Sequence, residues 1–201
     1  MKTDRLQQQI QFIVEIDRLK QILRQSLITD SSRRENSAEH SWHLAIMASV
    51  LAEYALPGVN QLRAIQMLLI HDLVEIDAGD TFCYDIQGNA SKVDREQQAA
   101  DRIFGLLPED LEQEMRSLWD EFEATTTPTA KFAAALDRIE PMLLNQHTQG
   151  GTWKLHGITC DRVLQRMQPV AEGTPELWGF IEQVLEDCVT AGYLKAASSE
   201  K

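Results

Sequence analysis

An apolar run, Met67-Leu68-Leu69-Ile70, leads directly into His71-Asp72, with Leu73-Val74-Glu75-Ile76-Asp77 following. The run predicts a buried helix. Ionisable groups at its end need a partner, because an unpaired buried charge is costly. A divalent cation is the simplest such partner. Successive side chains on a helix point about 100° apart, so His71 and Asp72 can converge on one ion. Glu75 lies four positions after His71 and three after Asp72, on the same helical face. Taken alone, a His-Asp doublet more often reads as a helix end with ordinary polar groups. Two other stretches shift that balance. Upstream is Ser37-Ala38-Glu39-His40-Ser41, and downstream Ala133-Ala134-Ala135-Leu136-Asp137-Arg138 embeds another acid in an apolar helix.

The remaining periodicity is helical. Residues 4–28 place Leu6, Ile10, Ile13, Val14, Ile16, Leu19, Leu23 and Leu27 at three- and four-residue steps. Thr29-Asp30-Ser31-Ser32 breaks that helix, and Arg33-Arg34-Glu35-Asn36 reads as a polar loop. Ser37 is expected to cap a second helix, to about Leu56, and Asn60 a third that ends at the His-Asp pair. Asp77 to Ser91 is irregular, a candidate substrate loop. Helices resume at 92–105, 108–123 and 128–147. After a break at Gly150-Gly151-Thr152-Trp153, two more cover 159–171 and 174–192. Val, Ile and Thr never alternate over a strand length, so the expectation is all-α with no sheet. One domain over 1–195 is expected, with 196–201 as a flexible tail.

Composition narrows the function. The 201 residues carry 19 Lys and Arg against 31 Asp and Glu, a net charge of −12. That argues against nucleic-acid or anionic-membrane partners, but leaves room for a small phosphorylated substrate held by local cations. Cys83, Cys160 and Cys188 are widely spaced and form neither a zinc pattern nor a disulfide framework. A reducing, cytoplasmic setting is expected. The first residues, Met1-Lys2-Thr3-Asp4-Arg5-Leu6-Gln7, show no apolar signal region.

The order His40, His71-Asp72 and Asp137 resembles the HD-domain metal-dependent phosphohydrolases. Glu39-His40-Ser41, His71-Asp72-Leu73-Val74-Glu75 and Gly79-Asp80 look most like the bacterial 5′-deoxynucleotidase branch and its eukaryotic relatives. The resemblance runs from about Gln21 to Asn145. It implies a helical bundle with a divalent metal in a central cleft, held by His40, His71, Asp72 and Asp137. Mixed nitrogen and oxygen ligands suit Mn²⁺ or Co²⁺ and tolerate Mg²⁺ or Zn²⁺. The resemblance implies Glu75 as the general acid or base, the alternative being an exposed helix carboxylate. It implies that Asp80 approaches the sugar, the alternative being a turn residue after Gly79. Arg33 or Arg34, six or seven positions before His40, is a phosphate-fork candidate, Arg33 foremost. Both could equally be solvated or paired with Glu35 or Glu39. His43 matches no ligand position and reads as a neighbour of the ligands or a surface group. His147, Trp153 and His156 read as structural, although they could wall the cleft.

The expected activity is phosphate release from (deoxy)nucleoside 5′-monophosphates, by a homodimer. The alternatives are a phosphodiesterase or pyrophosphohydrolase of another nucleotide, or a non-catalytic nucleotide- or metal-sensing module. One departure stands out. The bacterial deoxynucleotidases carry an Arg-Trp pair well before the first histidine, and the Trp helps exclude a ribose 2′-hydroxyl. The corresponding stretch here is Arg24-Gln25-Ser26-Leu27, so deoxyribose selectivity does not transfer.

Overall fold

A computed structural model describes residues 2–197. Of the expected tail 196–201, residues 198–201 lie outside the described residues. Within them, Leu194 is buried in the core and Lys195 bridges to Thr159.

Helix α1 (Lys2–Glu15) runs into a 3-10 turn, Ile16–Gln21. The chain then departs from expectation. Leu23–Leu27 is a strand, β1, paired antiparallel with β2 (Arg34–Asn36). The absence of a sheet is therefore corrected, and the first helix is shorter than 4–28. Leu19, Leu23 and Leu27 kept a four-residue step that imitates a helix. In β1 only Ser26 is buried, so the alternation that betrays a strand is missing.

Helix α2 (Ser37–Val50) begins one residue later than its cap. The cap is Asn36, not Ser37. Its side chain accepts from the Glu39 N–H while the Glu39 carboxylate accepts from the Asn36 N–H, a reciprocal capping box. This fixes the helix start and so places His40 on its first turn. Helix α3 (Gln61–Ile70) is capped by Asn60, as expected. It stops at Ile70. His71 to Val74 form a turn, and α4 (Glu75–Ala78) follows. Gly79 ends α4 at φ +75°, a conformation that favours glycine, and so turns the chain toward Asp80.

The loop after Asp80 holds one short helix, α5 (Ile86–Asn89). Then come α6 (Lys92–Phe104), α7 (Glu109–Ala124) and α8 (Pro128–His147), followed by α9 (Gly151–His156), α10 (Cys160–Gly173) and α11 (Trp178–Thr190). Helix α8 is the central post. Phe132, Ala133, Ala134, Ala135 and Leu136 are all buried, and α2, α3, α7 and α10 pack around it. Small residues allow the approach. At Gly173 an added Cβ would sit 2.3 Å from the Lys131 carbonyl oxygen, so α10 meets α8 with no room for a side chain. Among the described residues, no helix is long and apolar enough to cross a membrane.

Candidate metal centre

The four residues expected to share an ion come from three places. His40 is on α2, His71 and Asp72 are in the turn after α3, and Asp137 is in the middle of α8. The fold brings them together. His40 Nε2 lies 3.0 Å from Asp137 Oδ1. His71 Nε2 lies 3.1 Å from Asp72 Oδ1 and 3.7 Å from Asp137 Oδ1. Donor atoms of His40, His71 and Asp72 all fall within 4.8 Å of one another, and all three residues are buried.

The two imidazoles are aimed from behind. His71 Nδ1 is 2.9 Å from the Leu68 carbonyl oxygen, which can only accept. Nδ1 therefore carries the proton and Nε2 turns its lone pair inward. That Nε2 is buried and has no hydrogen-bond partner among the described residues. The His71 ring packs on Phe122 at 4.8 Å, and the Trp119 indole N–H donates to the His71 carbonyl. His40 Nδ1 faces Glu140 Oε2 at 3.2 Å, and His43 Nδ1 faces Glu140 Oε1 at the same distance. Glu140, fully buried, thus grips both histidines. A carboxylate behind a ligating imidazole fixes its orientation and raises its basicity. His43 touches the centre only through Glu140. Glu140 lies three residues after Asp137 on one helix, so its spacing could have drawn attention to it.

The electrostatics of the centre favour positive charge among its carboxylates. Burial and Arg24 oppose a charge on His40, but Asp137, Glu140 and Glu35 hold its pKa well above the ordinary histidine value. Burial pushes Asp137 up, but His40 and His71 draw it well below the carboxylate range. The carboxylates thus pull a proton onto His40 as their counter-charge. A divalent cation is the other way to balance them.

A cleft of about 990 Å³, open to solvent, leads to this cluster. It is lined by Asp72, Glu75, Asp80 and Asp137, faced by Arg24, Lys92, Arg138 and Arg166. Glu75 is buried and accepts a hydrogen bond from Ser37 Oγ at 2.6 Å. Burial and then Asp72 raise its pKa well above the carboxylate range, against the pull of Arg24 and Ser37. Asp80 is raised too, by burial and by Asp72, with Arg24 opposing. Phe82, Cys83, Tyr84 and Trp153 supply the apolar wall. His147 is exposed, with Nδ1 on the Leu143 carbonyl, and His156 packs on Phe82 outside the main cleft.

Arg33 is not brought here. It is exposed and forked onto Glu39, with bonds of 2.7 and 2.8 Å. The arginine that lines the cleft is Arg24, which β1 points inward to Asp72 Oδ2 at 2.8 Å. Its Nε is buried with no hydrogen-bond partner among the described residues. Reading residues 4–28 as one helix hid it, because helical periodicity gives Arg24 no special direction.

A family model described as an HD domain matches residues 16–178. The 5′-deoxynucleotidase HDDC2 of Homo sapiens is 33% identical over 135 residues, 67% of this chain and 65% of that protein. The chain therefore spans about two thirds of that relative's length. The namesake from Danio rerio is 31% identical over 69% of this chain and 68% of its own length. A crystal structure from Magnetospirillum magnetotacticum MS-1, described as a predicted metal-dependent phosphohydrolase, superposes with a TM-score of 0.93. It is 52% identical and covers 96% of this chain and 97% of its own.

Proposed function

This chain belongs to the HD-domain family, and on that premise we propose that it is a metal-dependent phosphomonoesterase. Its substrates on this reading are nucleoside 5′-monophosphates, deoxy forms among them, and its products a nucleoside and inorganic phosphate. The observation that carries the reading is the convergence of two imidazole nitrogens and two carboxylates on one buried point at the floor of a cleft. The buried Nε2 of His71, without a hydrogen-bond partner among the described residues, supports a cation there, and the mixed nitrogen and oxygen donors suit one. His40, His71, Asp72 and Asp137 would hold the ion. When bound, it would polarise the phosphoryl group and lower the pKa of water.

The chain's own residues supply the rest. Arg24, which lines the cleft with its Nε 3.7 Å from Glu35 Oε2, takes the phosphate-holding role first expected of Arg33. Its other arm orients Asp72. Glu75, its pKa raised by burial and its carboxyl held by Ser37, acts as the general acid or base that moves a proton at the attacking water or the departing 5′-oxygen. Asp80, beside Glu75 at the end of α4, orients the sugar. Tyr84 and Trp153 flank the base and sugar and keep bulk water away. Glu140 and His43 hold His40 in place.

The finer expectations follow from surface and composition. Among the described residues the cysteines form no disulfide, which suits a reducing cytoplasm. Trp42, Ile46 and Val50 step four residues at a time along α2 and are exposed, an apolar stripe that suits a homodimer interface. The test of function is a phosphate-release screen over phosphorylated metabolites, run with Mn²⁺, Co²⁺, Mg²⁺ and Zn²⁺. The reading predicts turnover of nucleoside 5′-monophosphates. Cleavage of diesters or pyrophosphates alone would contradict it, and tight metal binding without any turnover would favour a sensor.

A further inference from the structure

The cleft does not end at the metal centre. Past Cys83, Tyr84, Arg138 and Arg166 it continues as a groove toward Arg162 and Pro169. Three arginines therefore follow one another along one wall. This is unusual for a chain with a net charge of −12. Elsewhere acids are plentiful enough that Arg24, Arg33, Arg63, Arg102 and Arg116 are each ion-paired. Among the described residues, Arg34, Arg95, Arg138, Arg162 and Arg166 form no ion pair with a carboxylate, and the last three share this groove.

Each of the three is accounted for differently. Arg138 donates to the Ala134 carbonyl at 2.8 Å, but its Nε is buried with no hydrogen-bond partner among the described residues. Arg162 lies 5.0 Å over the Tyr84 ring and donates to the Tyr84 carbonyl, which fixes it to the groove wall. Arg166 is one helical turn further along α10, exposed, and lines the same groove as Arg138. Like charges at i and i+4 repel, so this arrangement costs stability unless something anionic sits between them. Guanidinium forks match phosphate and carboxylate oxygens.

We infer that this arginine-lined groove holds a second oxyanion of the substrate, distal to the scissile phosphate. The inference rests on the nucleotidase reading and narrows it. The preferred substrates become nucleotides carrying a further phosphate or carboxylate on the sugar or base. Arg24 engages the scissile phosphate at the metal-centre end of the cleft, while Arg138, Arg162 and Arg166 engage the other group.

Two matched pairs test this with the metal-loaded protein. One compares a nucleoside 3′,5′-bisphosphate with its 5′-monophosphate, reading 5′-phosphate release. The other compares orotidine 5′-monophosphate, which carries a carboxylate on the base, with uridine 5′-monophosphate. The expected result is a kcat/KM preference of at least about tenfold for the doubly anionic member of one pair, the scale of one charge-assisted hydrogen bond. The pair that shows it identifies the source as phosphate or carboxylate. In Arg162→Gln/Arg166→Gln, and in Arg166→Gln alone should the double variant not fold, that preference should fall toward one. A ratio near one in both pairs for the wild type, with monophosphates still hydrolysed, overturns this inference and leaves the nucleotidase reading standing. A preference that survives in the variants also overturns it. No phosphate release from any nucleotide sinks the nucleotidase reading and this inference with it.

Discussion

At the scale of single residues, the centre separates groups that hold from groups that act. His43 reaches the cluster only through Glu140. His43→Ala is therefore expected to keep its metal and most of its activity, with metal analysis and turnover as the check. Release of the ion on that change would place His43 among the ligands. The sugar is a second residue-scale question. This chain has Gln25 on the cleft wall where an Arg-Trp pair would put its tryptophan, so a smaller, flexible side chain stands where the indole would oppose a ribose 2′-hydroxyl. A site rejects an added hydroxyl only when something occupies its space. Matched deoxy- and ribonucleoside monophosphates should therefore give kcat/KM values within about tenfold of each other, since a hydrophobic wall alone rejects a hydroxyl only weakly. A much stronger deoxy preference would mean that another wall residue, Trp153 foremost, fills the gap. His40, His71, Asp72 and Asp137 were legible because their types and order are chemically rare in apolar helices. Arg24, Arg138 and Arg166 were not legible, because an arginine's partner depends on tertiary placement.

At the scale of elements, periodicity told most of the story and failed where it was ambiguous. Helices α3 and α8 were readable from caps and apolar steps, and Pro128 through His147 matched the expected bounds. The β1–β2 ribbon was not, because it is short and buries only one residue in each strand, Ser26 and Glu35. The turn at His71 was also invisible, since Leu73 and Val74 continue the apolar run. The capping box of α2 gives a direct test. Asn36→Ala removes the side-chain acceptor for Glu39 N–H and should cost about 1 kcal/mol. Denaturant unfolding would register it, and an unchanged midpoint would deny the cap its role. Gly173→Ala should cost more, about 1–3 kcal/mol, because the new methyl meets the backbone of α8. For a chain of this size each kcal/mol lowers Tm by roughly 2–4 °C.

At the scale of the whole molecule, a net charge of −12 sits around a cleft whose lining mixes acids and bases, and the metal is expected to balance its floor. Binding to the folded chain alone should stabilise it by about 2.7 kcal/mol at a hundredfold excess over Kd. A chelator should accordingly lower Tm, and Mn²⁺ or Co²⁺ restore it. The exposed stripe on α2 should bury itself in a dimer. Light scattering at micromolar concentration is expected to give twice the chain mass, and Trp42→Glu should return the monomer. A monomeric wild type would rule that interface out.

The central claim is that one set of residues holds a cation while Glu75, beside it, moves the proton. Metal content and single-turnover rate, measured together on the same nucleotide for wild type, Asp72→Ala and Glu75→Gln, test it most directly. Asp72→Ala should lose both metal and turnover. Glu75→Gln should keep a full equivalent of metal while its rate falls about a hundred- to ten-thousand-fold, the range of positioned acid–base catalysis. If Glu75→Gln turns over like wild type, or Asp72→Ala keeps its metal, that division of labour is wrong.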